Sequence, residues 1–263
     1  MYWSASLAQL LDPYDLRARF WPGLLLLLPV ISFLALVFGP RNPALVTITS
    51  VLMTCGGPYL LSSFVRTWGQ RAQIRLYQRL GAQPTTILLR HRDVRLPAQT
   101  KERYYGLIAQ KLGLAMPSEL DEHRDPHSAD EAYRAAADAL RPLTNDRKKF
   151  PFVFKELVAY GFNRNAYGSR WVGVCICAAA VVATFAEDEV LTRALAGEMQ
   201  GALHLMDLRH VLTALIAIAF CLIWLYHFTS PTVEQAGFSY ALRLWEALPA
   251  VNKIPAAKRH LES

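Results

Sequence analysis

Four stretches of this chain contain no Asp, Glu, Lys or Arg, and they constrain its fold more than any other feature. They are residues 20–39, 45–65, 171–186 and 211–228. A bilayer core about 30 Å thick requires about 20 apolar residues, because an α-helix rises about 1.5 Å per residue. Each stretch therefore predicts a membrane-spanning helix. The alternative is a water-soluble protein with four buried helices, but buried helices of soluble proteins seldom lack charges on every face.

The four predicted spans differ in how they fit the bilayer. The first follows no cationic region of the kind that precedes a cleaved signal peptide, so we expect a retained helix. Residues 40–44 form at most a hairpin turn to the second span. The third span rises only about 24 Å and requires Arg170 to extend toward the interface, or local thinning of the bilayer. The fourth ends like an interfacial aromatic belt, with Trp224, Tyr226 and His227.

Basic residues are concentrated in one part of the chain, and this predicts its orientation. Of the 28 Lys and Arg residues, 19 lie between Arg66 and Arg170, where there are 11 acidic residues. The loop of residues 187–210 has two basic residues and five acidic ones. By the positive-inside rule, both termini and the middle segment are cytoplasmic and the two short connecting loops face out.

These patterns predict an all-α polytopic membrane protein in four parts. Residues 1–66 form a transmembrane hairpin and residues 67–170 a basic helical cytoplasmic domain. Residues 171–228 form a second transmembrane pair, with residues 187–210 as its outer loop. Residues 229–263 form a cytoplasmic tail.

Turn signals divide the cytoplasmic domain into helices. Residues 66–80 continue the second span, and residues 100–112 form a helix that Gly113 caps. Ser128 and Glu131 form a capping box that opens an Ala-rich helix to about Leu140, stopped by Pro142. A last helix covers residues 150–160 and ends at Gly161. Residues 85–89 are compatible with one short strand, and residues 116–126 are predicted to be a polar connector.

No motif typical of catalysis is present: there is no phosphate loop, dinucleotide fingerprint, zinc-protease motif or nucleophile elbow. We therefore predict no enzyme activity, cofactor or metal. His123 and His127 have the spacing of a helical metal pair, but Pro126 between them breaks that geometry. The predicted spans contain no carboxylate or lysine and no histidine away from their ends, which disfavours proton-coupled transport.

The second span contains the candidate gate. Gly56, Gly57 and Pro58 predict a kink, because proline lacks an N–H and clashes with the preceding turn. Such a kink is either a hinge or a static feature of the helix. Hydroxyl residues on the same span either line a pore or help helices pack. Four spans enclose no obvious aqueous path, so conduction would require a symmetric homo-oligomer, for which we predict a tetramer.

Residues 144–170 combine cations, aromatic residues and two glycines more densely than any other segment. One interpretation is that the cations bind anionic membrane lipids and fix the topology. A second is an anion pocket for a nucleotide or oligonucleotide, with aromatic rings for base stacking. A third is a structural elbow in which Arg164 pairs with an acid such as Glu156. The candidate ligand-binding residues are Arg147, Lys148, Lys149, Lys155, Arg164, Asn165 and Arg170.

The topology together with Tyr160-Gly161-Phe162-x-Arg164-Asn165-x-x-Gly168 resembles the four-span membrane effectors of bacterial anti-phage systems. Those effectors, of the CBASS and Hailong types, accompany nucleotidyltransferases. The resemblance implies a bacterial inner-membrane protein that oligomerises into a channel or pore. It also implies control by a nucleotide signal from a cognate nucleotidyltransferase, and arrest or death of the infected cell. The alternative function is a non-conducting scaffold that recruits a cytoplasmic partner through its basic helices.

Overall fold

The computed structural model describes residues 12–38, 47, 57–187 and 189–252, and this part of the chain is helical and contains no strand. The all-α prediction is therefore confirmed for the described residues. Contacts divide the chain into two units. Unit 1 comprises Met1–Gln73 and Gly161–Thr232, and unit 2 comprises Ile74–Tyr160 and Val233–Ser263.

The described helices are numbered here in chain order. Helix α1 (Pro13–Asp15) leads through a π-helical segment (Leu16–Phe20) into α2 (Trp21–Phe33), which a second π-helical segment (Leu34–Phe38) follows. The other α-helices are α3 (Gly57–Leu80), α4 (Pro84–Leu89), α5 (Ala98–Leu112), α6 (Glu119–Arg124), α7 (Pro126–Leu143), α8 (Pro151–Glu187), α9 (Val190–Leu195), α10 (Met199–Leu205), α11 (Leu208–Leu222) and α12 (Ser230–Glu246). Helix α11 continues as a π-helical segment (Ile223–His227).

Three of the described helical stretches are long and apolar enough to cross a membrane. They are Pro13–Val37, Pro151–Ala186 and Leu208–His227. They contain most or all of the first, third and fourth predicted spans. About half of the second predicted span, residues 45–65, lies outside the described residues. The short third span belongs to a 37-residue helix, so helix length does not limit it.

Unit 1 is held together by helices that approach closely at small residues. A Cβ on Gly168 of α8 would lie 2.5 Å from the backbone of Trp68 and Gly69 on α3. A Cβ on Gly173 would lie 2.5 Å from the indole ring of Trp224. These crossings explain why the chain needs glycine here, since any side chain would separate the helices. Leu26, Val65, Ala166, Cys177, Trp224 and Phe228 form the buried apolar cluster.

Unit 2 has its own hydrophobic core, built from α4, α5, α7 and α12. Tyr133, Ile108, Leu140, Leu244 and Trp245 are fully buried in it. The amphipathic period of α5 explains how the core forms, because Tyr104, Ile108 and Leu112 fall on one helix face. Gly113 ends α5 in the left-handed conformation with φ of 73°, as predicted.

Several predicted element boundaries are wrong. Residues 85–89 belong to helix α4, and residues 116–126 contain helix α6. The capping box is made by Ser118 and Asp121 at the start of α6, whereas Asp125 caps α7, so Ser128 lies inside α7. Helix α7 runs through Pro142 to Leu143. Helix α8 does not end at Gly161, because that glycine lies where Tyr14 and Ala18 pack against the helix.

Candidate functional site

The loop of residues 90–97, between α4 and α5, is held by a buried carboxylate from α6. Glu122 is 3% exposed and accepts hydrogen bonds from the backbone N–H of His91 (2.7 Å) and from the hydroxyl of Tyr133 (2.8 Å). It also accepts from the backbone and guanidinium of Arg92, at 3.3 and 2.9 Å. A buried charge is tolerated only when it is paired in this way. Glu122 therefore fixes the loop to the core of unit 2.

Two arginines of the same loop pair with a second carboxylate. Arg90 donates from Nε and Nη2 to the two oxygens of Asp130, at 2.8 and 2.7 Å. Arg92 reaches the same carboxylate at 3.3 Å. A planar guanidinium that donates two hydrogen bonds to one carboxylate fixes both groups geometrically. Neither arginine is therefore free to bind an anion unless these pairs break.

Lys101 of α5 lies beneath the loop and is 3% exposed. Its Nζ donates to the backbone oxygens of Arg90 (2.6 Å), His91 (3.3 Å) and Asp93. An ammonium group has three hydrogens, so these three acceptors use its whole donor capacity. Burial lowers the pKa of Lys101 from its ordinary value, and the nearby carboxylates of Asp93 and Glu122 oppose that shift.

Two cavities adjoin the loop, and His91 and Glu119 line both. The smaller, of about 300 Å³, lies among His91, Arg92, Glu119, Glu122, His123 and Pro126. The larger, of about 430 Å³, is lined by His91, Asp93, Val94, Leu96, Ala98, Lys101, Glu102, Tyr105 and Glu119. The larger volume is within the range typical of small-molecule sites.

The aromatic groups of the larger cavity are held in place by hydrogen bonds to the backbone. His91 Nε2 lies 3.1 Å from the carbonyl oxygen of Pro117, a contact that requires the ring hydrogen on Nε2. Tyr105 donates its hydroxyl to the carbonyl of Leu89, and its ring centroid lies 5.0 Å from that of His91. Burial raises the pKa of Tyr105 to about 12, so the phenol stays protonated at neutral pH.

The predicted ligand-binding residues divide between the two units. In unit 2, Arg147, Lys148 and Lys149 are exposed in the turn before α8, and Lys155 is exposed on its second turn. The backbone N–H groups of Lys148 and Lys149 donate to Asp146, and the ammonium group of Lys149 lies 5.4 Å from the ring centroid of Phe150. The guanidinium of Arg147 lies 4.7 Å from the ring centroid of Phe154.

The three predicted residues of unit 1 make internal contacts. Asn165 is fully buried, and its amide donates to the carbonyl of Ala18 at 2.6 Å. Arg164 donates to Gln73 at 2.7 Å and to the amide oxygen of Asn165. Arg170 donates to the carbonyl of Leu225 at 2.8 Å, in the π-helical segment after α11. These contacts are typical of helix packing.

The predicted gate lies at the edge of the described residues. Gly56 is outside them, and helix α3 is described from Gly57 onward with Pro58 in its first turn. The predicted kink at Gly56, Gly57 and Pro58 therefore remains a prediction.

Sequence reasoning missed the loop and its buried charges. Lys101 could have been found, because it shares a helix face with Tyr104, Ile108 and Leu112, where an apolar residue is expected. Glu122 carries no such signal. Helix α6 has only six residues, which is too short to show an apolar period, and the hydrogen-bond partners of Glu122 are distant from it in sequence.

The described fold defines a helical protein with three helices able to span a membrane and a separate helical core. No protein-family model, curated protein or solved structure matches this chain. Its function therefore has to be inferred from its own residues.

Proposed function

We propose that this protein is an oligomeric inner-membrane effector of bacterial anti-phage defence that forms an ion-conducting pore under the control of a nucleotide signal. Helix α8 is the observation that carries the proposal. Three exposed cations, Arg147, Lys148 and Lys149, directly precede it, and the helix itself is long and apolar enough to span a membrane. An anion bound at its start would thus act on a helix that also crosses the bilayer.

The surface of α11 and of the π-helical segment after it supports a location in lipid. Large apolar side chains are exposed along them at helical spacing: Leu208, Val211, Leu212, Leu215, Ile218, Leu222, Ile223 and Tyr226. Each of the three candidate spans contains an apolar stretch of 18 residues, and only 28% of that stretch is buried within the chain. A surface of this kind requires lipid or other copies of the chain around it.

The proposal includes a fourth span in residues 45–65. The part of it that the structure describes from Gly57 onward is helical, and the same helix continues to Leu80. Four spans place both termini on one side of the membrane. The excess of basic residues between Arg66 and Arg170 supports the cytoplasm as that side.

In the proposed mechanism the signal binds first at Lys148 and Lys149, both of which are exposed residues. Arg164 and Arg170 take part only if their contacts to Gln73 and Leu225 break. Binding then shifts α8, and the segment at Gly57 and Pro58 opens or closes the pore. The signal must bind one of the two states more tightly, since differential affinity is the only source of energy for the shift.

Ion flux from proteoliposomes that contain the purified protein tests the proposal. The probes are a panel of cyclic dinucleotides and trinucleotides, with ATP as reference. We expect at least one cyclic oligonucleotide to change the flux of the wild type several-fold, and the double variant K148E/K149E to lose this response while it still inserts in the membrane.

The matched control is R75E/R103E, which makes the same change in net charge at two exposed cations of unit 2. It should respond like the wild type. Equal loss of response in both variants would show a general charge effect and contradict the assignment of the site. An absence of flux with every probe would contradict the channel function and favour the membrane scaffold.

A further inference from the structure

The larger cavity of unit 2 contains more negative than positive groups, although the chain as a whole has a net charge of +7. Three carboxylates and one ammonium group line it, on Asp93, Glu102, Glu119 and Lys101. Its volume of about 430 Å³ accommodates a small molecule. The ligand that such a cavity favours depends on which of these charges are already paired.

Two of the charged groups are occupied. All three hydrogens of the Lys101 ammonium group point to backbone carbonyls of the loop. The Asp93 carboxylate pairs with the guanidinium of Arg95 and accepts from its backbone N–H at 3.0 Å. Glu102 and Glu119, by contrast, are exposed and have no ion pair or side-chain hydrogen bond within the described part of the chain. The cavity therefore presents two available carboxylates and no available cation.

The remaining walls suit a hydrocarbon chain. Val94, Leu96 and Ala98 line the cavity with apolar atoms, and Val94 is 93% exposed and so accessible to a ligand. The rings of Tyr105 and His91, with centroids 5.0 Å apart, also line the cavity. Carboxylates, an apolar wall and aromatic rings together match an aliphatic chain that carries amino groups.

We propose that this cavity binds a small aliphatic polyamine. The ammonium groups of the ligand pair with Glu102 and Glu119, and its methylene groups pack against Val94 and Leu96. A phosphate ligand does not fit, because the available carboxylates would repel it. The site is separate from the proposed signal-binding residues before α8, and it does not depend on the function proposed above.

Isothermal titration of spermidine into the full-length protein in detergent tests the proposal. We expect one site per chain, at least tenfold weaker affinity in each of E102Q and E119Q, and no measurable binding in the double variant. The control is E131Q, since Glu131 is an exposed glutamate on α7 of the same unit, outside the cavity. This control should bind like the wild type.

Competition by Mg²⁺ distinguishes a built site from a general attraction of cations to carboxylates. We expect spermidine to bind with the same stoichiometry in excess Mg²⁺. Complete displacement by Mg²⁺, equal loss in E131Q, or unchanged affinity in E102Q/E119Q would each overturn the proposal. Both glutamates are exposed, so the variants should fold, and circular dichroism checks this. If the double variant unfolds, the spermidine affinities of E102Q and E119Q decide the test.

Discussion

At the scale of single residues, the stability of unit 2 depends on charges that are buried and paired. Glu122 has four donors around it and almost no contact with solvent. Removing it takes one hydrogen-bond acceptor away from the Arg92 guanidinium, from the Tyr133 hydroxyl and from two backbone N–H groups. Such a loss is costly, because a buried polar group without a partner keeps its desolvation penalty.

We predict that Glu122→Ala lowers the free energy of unfolding by about 3 kcal/mol, equivalent to a fall of about 6–12 °C in the unfolding midpoint. The measurement is thermal unfolding of the purified protein followed by circular dichroism. Glu131→Ala is the control, because Glu131 is exposed and, within the described residues, forms an ion pair only with the exposed His127, at 3.6 Å. Its midpoint should stay within about 2 °C of the wild type. Equal effects of the two changes would contradict the role of Glu122.

The same carboxylate predicts a dependence of stability on pH. Burial alone would raise the pKa of Glu122, but the donors around it hold that pKa below the ordinary value of 4.5. The folded state therefore binds the proton less readily than the unfolded chain. Its contribution is fully present above about pH 4.5 and is lost as the pH falls through the lower pKa of the folded state.

We expect the unfolding midpoint of the wild type to fall more steeply than that of Glu122→Gln between about pH 5 and pH 3. Glutamine has the same shape but does not titrate in this range, so the difference between the two curves isolates one group. Parallel curves for the two proteins would show that other carboxylates determine the acid sensitivity.

At the scale of helices, the crossing of α3 and α8 in unit 1 has no room for a side chain. We predict that Gly168→Ala separates the two helices and lowers the stability of the protein by about 1–3 kcal/mol, since the nearest atoms are backbone and cannot rotate away. Thermal unfolding in detergent measures the effect. Gly106→Ala is the matched control, because it lies within helix α5 with nothing within 4 Å of the added Cβ. That change should stabilise the protein by up to about 1 kcal/mol. Destabilisation by Gly106→Ala of the same size would mean that the crossing is not the cause.

Helix α5 was predictable from sequence, whereas the end of α8 was not. The apolar period of α5 and its glycine cap are local signals, and both hold in the structure. Gly161 gives the same local signal as Gly113, yet the helix continues through it. The difference is tertiary: Tyr14 and Ala18 pack closely against Gly161, and packing outweighs the weak preference of glycine to end a helix.

At the scale of the whole molecule, the proposed topology predicts which residues a membrane-impermeant reagent can label from outside the cell. In a variant without the native cysteines, Leu120→Cys should not react with a membrane-impermeant maleimide on spheroplasts, and Leu203→Cys should react. Both leucines are exposed, at 77% and 58%, so access is not limited by the chain itself. Lysed cells are the control, in which both cysteines should react. Labelling of position 120 in sealed spheroplasts would contradict a cytoplasmic location of unit 2.

The sequence by itself determined the helical class of the described residues and the helices able to span a membrane, because the absence of charge over about 20 residues is a local property. It also showed the cluster of basic residues before α8, because charged residues are read directly from the sequence. Only the tertiary structure decided that Glu122, Lys101 and the loop of residues 90–97 meet, and that a cavity forms beside them. Their contacts join residues on different helices, and no local preference encodes such pairs. Close packing fixes them when the helices of unit 2 come together around their shared core.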